Sequence, residues 1–178
     1  MADLIEAHGH LTLQPAEDEF RRLVVSIVNQ QLSTASATAI RERLFDHLGE
    51  VTPETVLAAD REPLREDGLS GTKVDYLRNA ATAFRDRNLS RDGLADHDDE
   101  AVIDELTRIT GIGRWSAEMY LLFVLGREDV LPLGDLAIRR GLEDLYGCDS
   151  RDEMREVATA WRPYRSYGTL YVWEHYES

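Results

Sequence analysis

Between positions 20 and 31 the apolar side chains fall at Phe20, Leu23, Val24, Ile27 and Val28, with Gln31 next in register. This is the i, i+3, i+4, i+7 spacing of one helix face, and the same period recurs along almost the whole chain. Ser33 or Thr34 caps a following helix that turns Ile40, Leu44, Phe45 and Leu48 inward and stops at Gly49. Thr52-Pro53-Glu54 opens a short helix, since proline is at home in a first turn. A further helix over Gly71 to Arg87 carries Val74, Leu77, Ala81 and Phe84. Asp99 to Ile109 and Trp115 to Leu125 are helical, Asp135 opens a helix that closes near Gly147, and Ser150 with Glu153 forms a capping box. Pro163 begins the last helix, with Tyr167, Leu170, Tyr171 and Glu174 in register. Only His10 to Leu13 alternates like a strand. The expected fold is all-α, a compact bundle of about eight to ten short helices, in a single domain over residues 1–178 with a frayed stretch at 1–16.

Charge narrows the function classes. Asp and Glu number 34 against 20 Lys and Arg, a net charge of -14, and nucleic-acid binders tend to be basic. An acidic, hydrated surface also suits a salt-rich cytoplasm. Near 1 M salt the Debye length is only about 3 Å, so the global charge would hardly repel DNA. Lys73 is the one lysine among the 20 basic residues; the others are arginine. The longest strongly apolar run, Met119 to Leu125, falls far short of the roughly 20 residues needed to span a membrane. MADLIEAHGH lacks the basic-then-apolar layout of a signal peptide, so the expected location is cytoplasmic. One cysteine, Cys148, excludes an internal disulfide and a cysteine-ligated cluster. His8 and His10 sit in the frayed stretch and form no HExxH pattern, so they are not expected to hold a metal, and no cofactor is expected.

Against this acidity the stretch TRITGIGRW, Thr107 to Trp115, holds two arginines and no acid. Gly111 and Gly113 allow a tight turn and a close backbone approach. The N–H groups opening the next helix would then form an anion site for a phosphate, with Arg114 beside it. A Gly-x-Gly between helices is equally the mark of an ordinary helix–helix turn. Acid-free windows recur at 20–41, 68–74, 136–142 and 161–173. They suggest one acid-poor face for DNA, although helix cores exclude acids too.

Four segments in order resolve the ambiguity. LTRITGIGRWSAEMYLLFVLGREDVLPLGDLAIRRG, Leu106 to Gly141, resembles the HhH-GPD superfamily of DNA base-excision glycosylases, named for a hairpin and a Gly/Pro-rich loop ending in aspartate. That loop is Leu131-Pro132-Leu133-Gly134-Asp135. IVNQQLS from Ile27, GLSGTKVDYL from Gly68 and WRPYRSYGTLYVW from Trp161 are similar to the bacterial 3-methyladenine DNA glycosylase II branch. The resemblance covers roughly 19–175. It implies the catalytic helical core without that branch's N-terminal β-rich domain.

Taken alone, Asp135 at a helix start is an N-cap; the resemblance adds the catalytic role, and both can hold. Trp115 occupies the position where strand-cutting relatives carry a nucleophilic lysine, which implies a monofunctional enzyme using water. The resemblance places Trp115 and Trp173 in an aromatic pocket for the extruded base, with Met119 where the bacterial branch has a tyrosine. A cationic alkylated purine such as 3-methyladenine is attracted to an aromatic face by about 0.5–2 kcal/mol. Gln31 matches the residue wedged into the duplex, and Gln30 and Ser33 order that turn or simply end a helix. Lys73 is expected to contact a phosphate or to be solvated. The family's monovalent-cation site would use the carbonyls of Thr110 and Ile112. The expected partner is double-stranded DNA with a damaged base, met by a monomer with no membrane attachment. The rival readings are a non-catalytic helix-hairpin-helix DNA-binding module and a glycosylase of this fold for hypoxanthine or ethenoadenine.

Overall fold

The computed structural model describes residues 1–178 and consists of helices and connecting turns, with no strand. In chain order the helices are α1 (Ala2–His8), α2 (Glu19–Asn29), α3 (Thr34–Leu48), α4 (Pro53–Ala58), α5 (Arg61–Glu66), α6 (Gly71–Asp86), α7 (Asp99–Thr107), α8 (Arg114–Phe123), α9 (Leu136–Tyr146), α10 (Arg151–Thr159) and α11 (Arg165–Glu177). The all-α expectation holds with eleven helices; α1 and α5 are the additions. Two compact units are distinguished: Ala16–Tyr120, and Met1–Pro15 with Leu121–Ser178. The boundary between them falls inside α8.

In the unit Ala16–Tyr120, α6 is the central element, packed against α2, α4 and α5. Its buried Val74, Leu77, Ala80, Ala81 and Ala83 form the face the helical period marks. Small residues on that face let neighbouring backbones approach, while bulk comes from α2 through Phe20, Leu23, Val24, Ile27 and Val28. Phe20 meets Phe84 with ring centroids 5.2 Å apart, and Phe84 meets Tyr120 edge-on at 6.1 Å. The Tyr120 hydroxyl donates to the Leu89 carbonyl at 2.8 Å, which satisfies its one polar atom inside the core. Caps follow the sequence: Ser33 accepts from the Ser36 N–H at the start of α3, and Gly49 closes it at φ 68°.

The second unit is built on α9 packed against α11, with α1 and α10 alongside. Leu133, Ile138, Leu142, Cys148, Met154 and Val172 form its buried core, flanked by Trp161 and Trp173. Both members of the Ser150–Glu153 capping box are present. Three expectations fail here. The terminus is docked and not frayed: Leu4 of α1 is buried, and the Met1 amine donates to the Tyr146 hydroxyl at 3.3 Å. His10 to Leu13 forms no strand, because the Tyr171 hydroxyl donates to the Gly9 carbonyl and accepts from the Leu11 N–H, taking the place of a partner strand. The last helix begins at Arg165, after Pro163.

No residue of α11's own N-cap supplies a side-chain bond. The loop before α9 supplies it instead. Asp129 Oδ1 accepts from the Arg165 N–H at 3.3 Å and its Nε at 2.7 Å, and Oδ2 accepts from Arg162 Nη1 at 3.0 Å. Ser166 Oγ donates to the Arg127 carbonyl and accepts from the Val130 N–H. Partial burial pushes the Asp129 carboxyl upward, but Arg165 and Arg162 outweigh it and hold the group below its ordinary 3.8. A depressed folded value contributes stability above the unfolded pKa and loses it as pH falls through the folded one. Asp129→Asn should therefore lower stability by about 1–3 kcal/mol at pH 7. Denaturant unfolding should show the gap from the parent closing below pH 3.8.

Candidate active site and nucleic-acid interface

The helix-hairpin-helix element is α7, the turn Thr110-Gly111-Ile112-Gly113, and α8. The two glycines differ. Gly111 has φ 105°, and a Cβ there would lie 2.1–2.6 Å from the Tyr76 side chain, so both conformation and space demand glycine. Gly113 has no positive φ, is exposed, and would present a Cβ to open space. The close backbone approach expected of both glycines is made at Gly111 only. Gly113 accepts from the Ala117 N–H at 3.1 Å and so caps α8 with its backbone. A bare backbone at an exposed helix start leaves the first-turn N–H groups approachable by an anion.

Arg114 stands at this start, but its guanidinium is already partnered. It donates to both Glu100 oxygens at 2.5 and 3.0 Å, and to Glu118 Oε1 at 3.1 Å. The hydrogen bonds it donates to Glu100 and the pull of both carboxylates raise its pKa further. The same correction applies to the acid-poor windows. Arg140 pairs with Glu143, Arg162 and Arg165 pair with Asp129, and Arg41 donates to Asn29 and Thr38. Carboxylates from outside these windows reach Arg140, Arg162 and Arg165 in space, so an acid-free stretch does not by itself make an unpaired basic face.

The α2–α3 turn lies over the hairpin. Gln30 Nε2 donates to the Gly111 carbonyl and to Ser116 Oγ, each at 3.0 Å. Gln31 is exposed and has φ 57°, the only non-glycine residue in the left-handed region. Ser33 is the N-cap of α3, and its side chain is accounted for by that role. Lys73 is not simply solvated: its Nζ donates to the Val28 carbonyl at 2.5 Å and the Gln30 carbonyl at 2.8 Å, so it serves the end of α2. Asn79 donates to the Thr110 carbonyl at 3.2 Å, taking one lone pair of an oxygen expected to face a cation. No group of three or more His, Cys, Asp or Glu is placed to hold a metal. Trp115 is half-buried and Met119, one turn on along α8, is 4% exposed, so Met119 offers little surface to a ligand.

In the other unit Asp135 is the N-cap of α9. Its Oδ1 accepts from the Ile138 N–H at 3.1 Å and from the Trp173 indole Nε1 at 3.1 Å. Trp173 is half-buried and stacks on Phe123, with centroids 5.7 Å apart and planes 23° apart. Arg139 Nη1 donates to the Leu133 and Gly134 carbonyls at 2.9 and 3.0 Å, fixing the turn that delivers Asp135. Leu136, beside Asp135, is 58% exposed, an apolar side chain presented to solvent. Sequence reasoning missed the indole bond, Arg139 and Leu136. The pairing of Asp135 with Trp173 spans 38 residues and has no local signal; an apolar first-turn residue after a cap is the visible hint for Leu136. A helix start with two donors on one carboxylate oxygen holds that carboxylate in a fixed orientation.

Known proteins share this fold. Residues 24–165 match the family model of the HhH-GPD superfamily base excision DNA repair proteins. The crystal structure of a DNA-3-methyladenine glycosidase from Bacillus halodurans is 36% identical, with a TM-score of 0.85, over 99% of this chain and 84% of that one. The 3-methyladenine DNA glycosylase of Schizosaccharomyces pombe in complex with abasic DNA is 29% identical, with a TM-score of 0.88, over 99% of this chain and 91% of that one. Bacillus subtilis YfjP is 28% identical over 99% of this chain, which spans 66% of that protein's length.

The two hairpin glycines give a local test. Gly111→Ala should destabilise the protein by about 1–3 kcal/mol through overpacking and strain. Gly113→Ala should change stability by less than about 0.5 kcal/mol. Thermal unfolding of both variants beside the parent distinguishes them.

Proposed function

The chain belongs to the HhH-GPD superfamily of base excision DNA repair proteins, and on that premise we propose that it is a monofunctional DNA glycosylase that extrudes alkylated, cationic purines such as 3-methyladenine and hydrolyses their bond to the sugar. The observation that carries this reading is Asp135: a carboxylate at a helix N-terminus, oriented by the Trp173 indole, in the Gly/Pro-rich loop of the family pattern. Its neighbours are an aromatic ring and an exposed leucine, the surroundings a flat base requires.

As the base departs, positive charge develops on the sugar, and a fixed carboxylate stabilises that charge or orients the attacking water. Asp135 has this role. Trp173 recognises the cationic base through its ring face, and the family pattern adds Trp115. The hairpin amides at the start of α8 take a backbone phosphate. Gln31 fills the space left by the extruded nucleotide, whose unstacking costs a few kcal/mol. An amine nucleophile is not needed. The one lysine holds two backbone carbonyls, and position 115 carries tryptophan.

Double-stranded DNA with a damaged base is the partner, and the family model's span across both units supports treating them as one glycosylase domain. No helix is long and apolar enough to cross a membrane; we place the protein in the cytoplasm, acting as a monomer. The net charge of -14 points to a salt-rich medium.

Methylated duplex DNA incubated with the protein should release free 3-methyladenine while the strand stays uncut, and borohydride should trap no covalent adduct. The release rate should rise from low to high salt before falling, whereas ordinary DNA binders lose affinity steadily with salt. Release of no alkylated base at any salt, with DNA still bound, would favour the binding-module reading. Release of hypoxanthine or ethenoadenine alone would move the substrate within the same fold.

A further inference from the structure

Nineteen arginines and a single lysine make Lys73 a chemical exception in this chain. Its surroundings explain the exception. The last carbonyls of a helix have no intrahelical partners, and α2 ends at Asn29. The Lys73 ammonium reaches from α6 and donates to the Val28 carbonyl at 2.5 Å and the Gln30 carbonyl at 2.8 Å. These two oxygens bracket the end of the helix and converge on one nitrogen. A compact ammonium with tetrahedral donors suits that geometry, whereas a planar guanidinium fork suits two parallel acceptors. Burial lowers the pKa of the amine, and the negative end of the α2 dipole favours its charged form.

The next residue, Gln31, is held at φ 57° with its side chain exposed. Such a backbone is unfavourable for any residue with a Cβ and persists only where surrounding contacts over-determine it. Those contacts are present on both sides. Lys73 grips the carbonyls before the turn, Gln30 ties the turn to Gly111 and Ser116, and the Leu32 N–H donates to the Asn29 carbonyl at 3.2 Å. We propose that Lys73 is a positioning residue that locks the Gln31 turn in the strained form required to enter the duplex, and that it makes no phosphate contact. This rests on the glycosylase reading, in which Gln31 is the wedge. Base extrusion from a well-stacked duplex then depends on Lys73, while cleavage of an already extruded base does not.

The test compares the parent with Lys73→Met and Lys73→Arg; the arginine variant keeps the charge if the methionine variant folds poorly. Amide exchange over residues 28–33 should quicken about tenfold or more in both variants, with α6 unchanged. An unchanged rate in that segment would overturn the proposal. Single-turnover excision of an alkylated purine should slow about tenfold or more when the lesion is paired in a matched duplex. Opposite a tetrahydrofuran abasic site, where extrusion is cheap, it should slow by less than about threefold. Equal losses on both duplexes, or parent-like rates in the arginine variant, would overturn it. A parent that excises nothing from either duplex defeats the glycosylase reading instead. In that event 2-aminopurine fluorescence in the same duplex decides: a rise with the parent and none with the variants supports the lock, and equal rises refute it.

Discussion

One carboxylate oxygen, Oδ1 of Asp135, ties the start of α9 to the middle of α11, and the proposed chemistry depends on that tie. The Ile138 N–H and the Trp173 indole both converge on it. The capping bond alone would fix a helix end; the indole bond also fixes an aromatic ring beside the carboxylate. Everything around this point restrains it. Arg139 holds the two carbonyls before Asp135, Asp129 caps α11 from the loop that leads to α9, and Ser166 bonds the same loop at two places. A fixed charge needs little reorganisation as positive charge appears on the sugar, which is where electrostatic catalysis gains most.

An acidic protein that acts on DNA looks like a contradiction until the contacts are followed. Arg114, Arg140, Arg162 and Arg165, all in acid-free stretches, are held by Glu100, Glu118, Asp129 and Glu143. What remains for a phosphate at the hairpin is chiefly backbone: the amides at the start of α8, exposed because Gly113 carries no side chain and Gly111 lets the turn lie against Tyr76. Backbone dipoles act at short range and do not depend on net charge. High salt would then weaken the long-range repulsion between an acidic surface and DNA more than it weakens this grip.

Helices were legible wherever period and punctuation agreed. Ser33, Gly49, Asp135, Gly147 and the Ser150–Glu153 box all mark real ends. α5 escaped because six residues with one buried leucine show no period. α1 escaped because its anchorage comes from Tyr146 and Tyr171, more than a hundred residues away. The same physics limits the reading of the site. Asp135 announces itself as a cap, and the hairpin glycines as a turn, because those signals are local. The Trp173 bond to Asp135, the carboxylates on Arg114 and the carbonyls under Lys73 are all encounters in space that no local pattern records. Lys73 shows the difference most plainly: a lone lysine in an acid-free window reads as a phosphate contact, yet it caps a helix.

The proposed chemistry rests on the charge of Asp135. Asn at this position keeps the capping oxygen and the indole acceptor, so the fold should survive the change. Single-turnover release of 3-methyladenine by Asp135→Asn should fall by about a hundredfold or more, while affinity for a duplex with an abasic-site analogue stays within about threefold of the parent. Release within about tenfold of the parent, at unchanged affinity, would contradict the assignment and leave Asp135 as a helix cap alone.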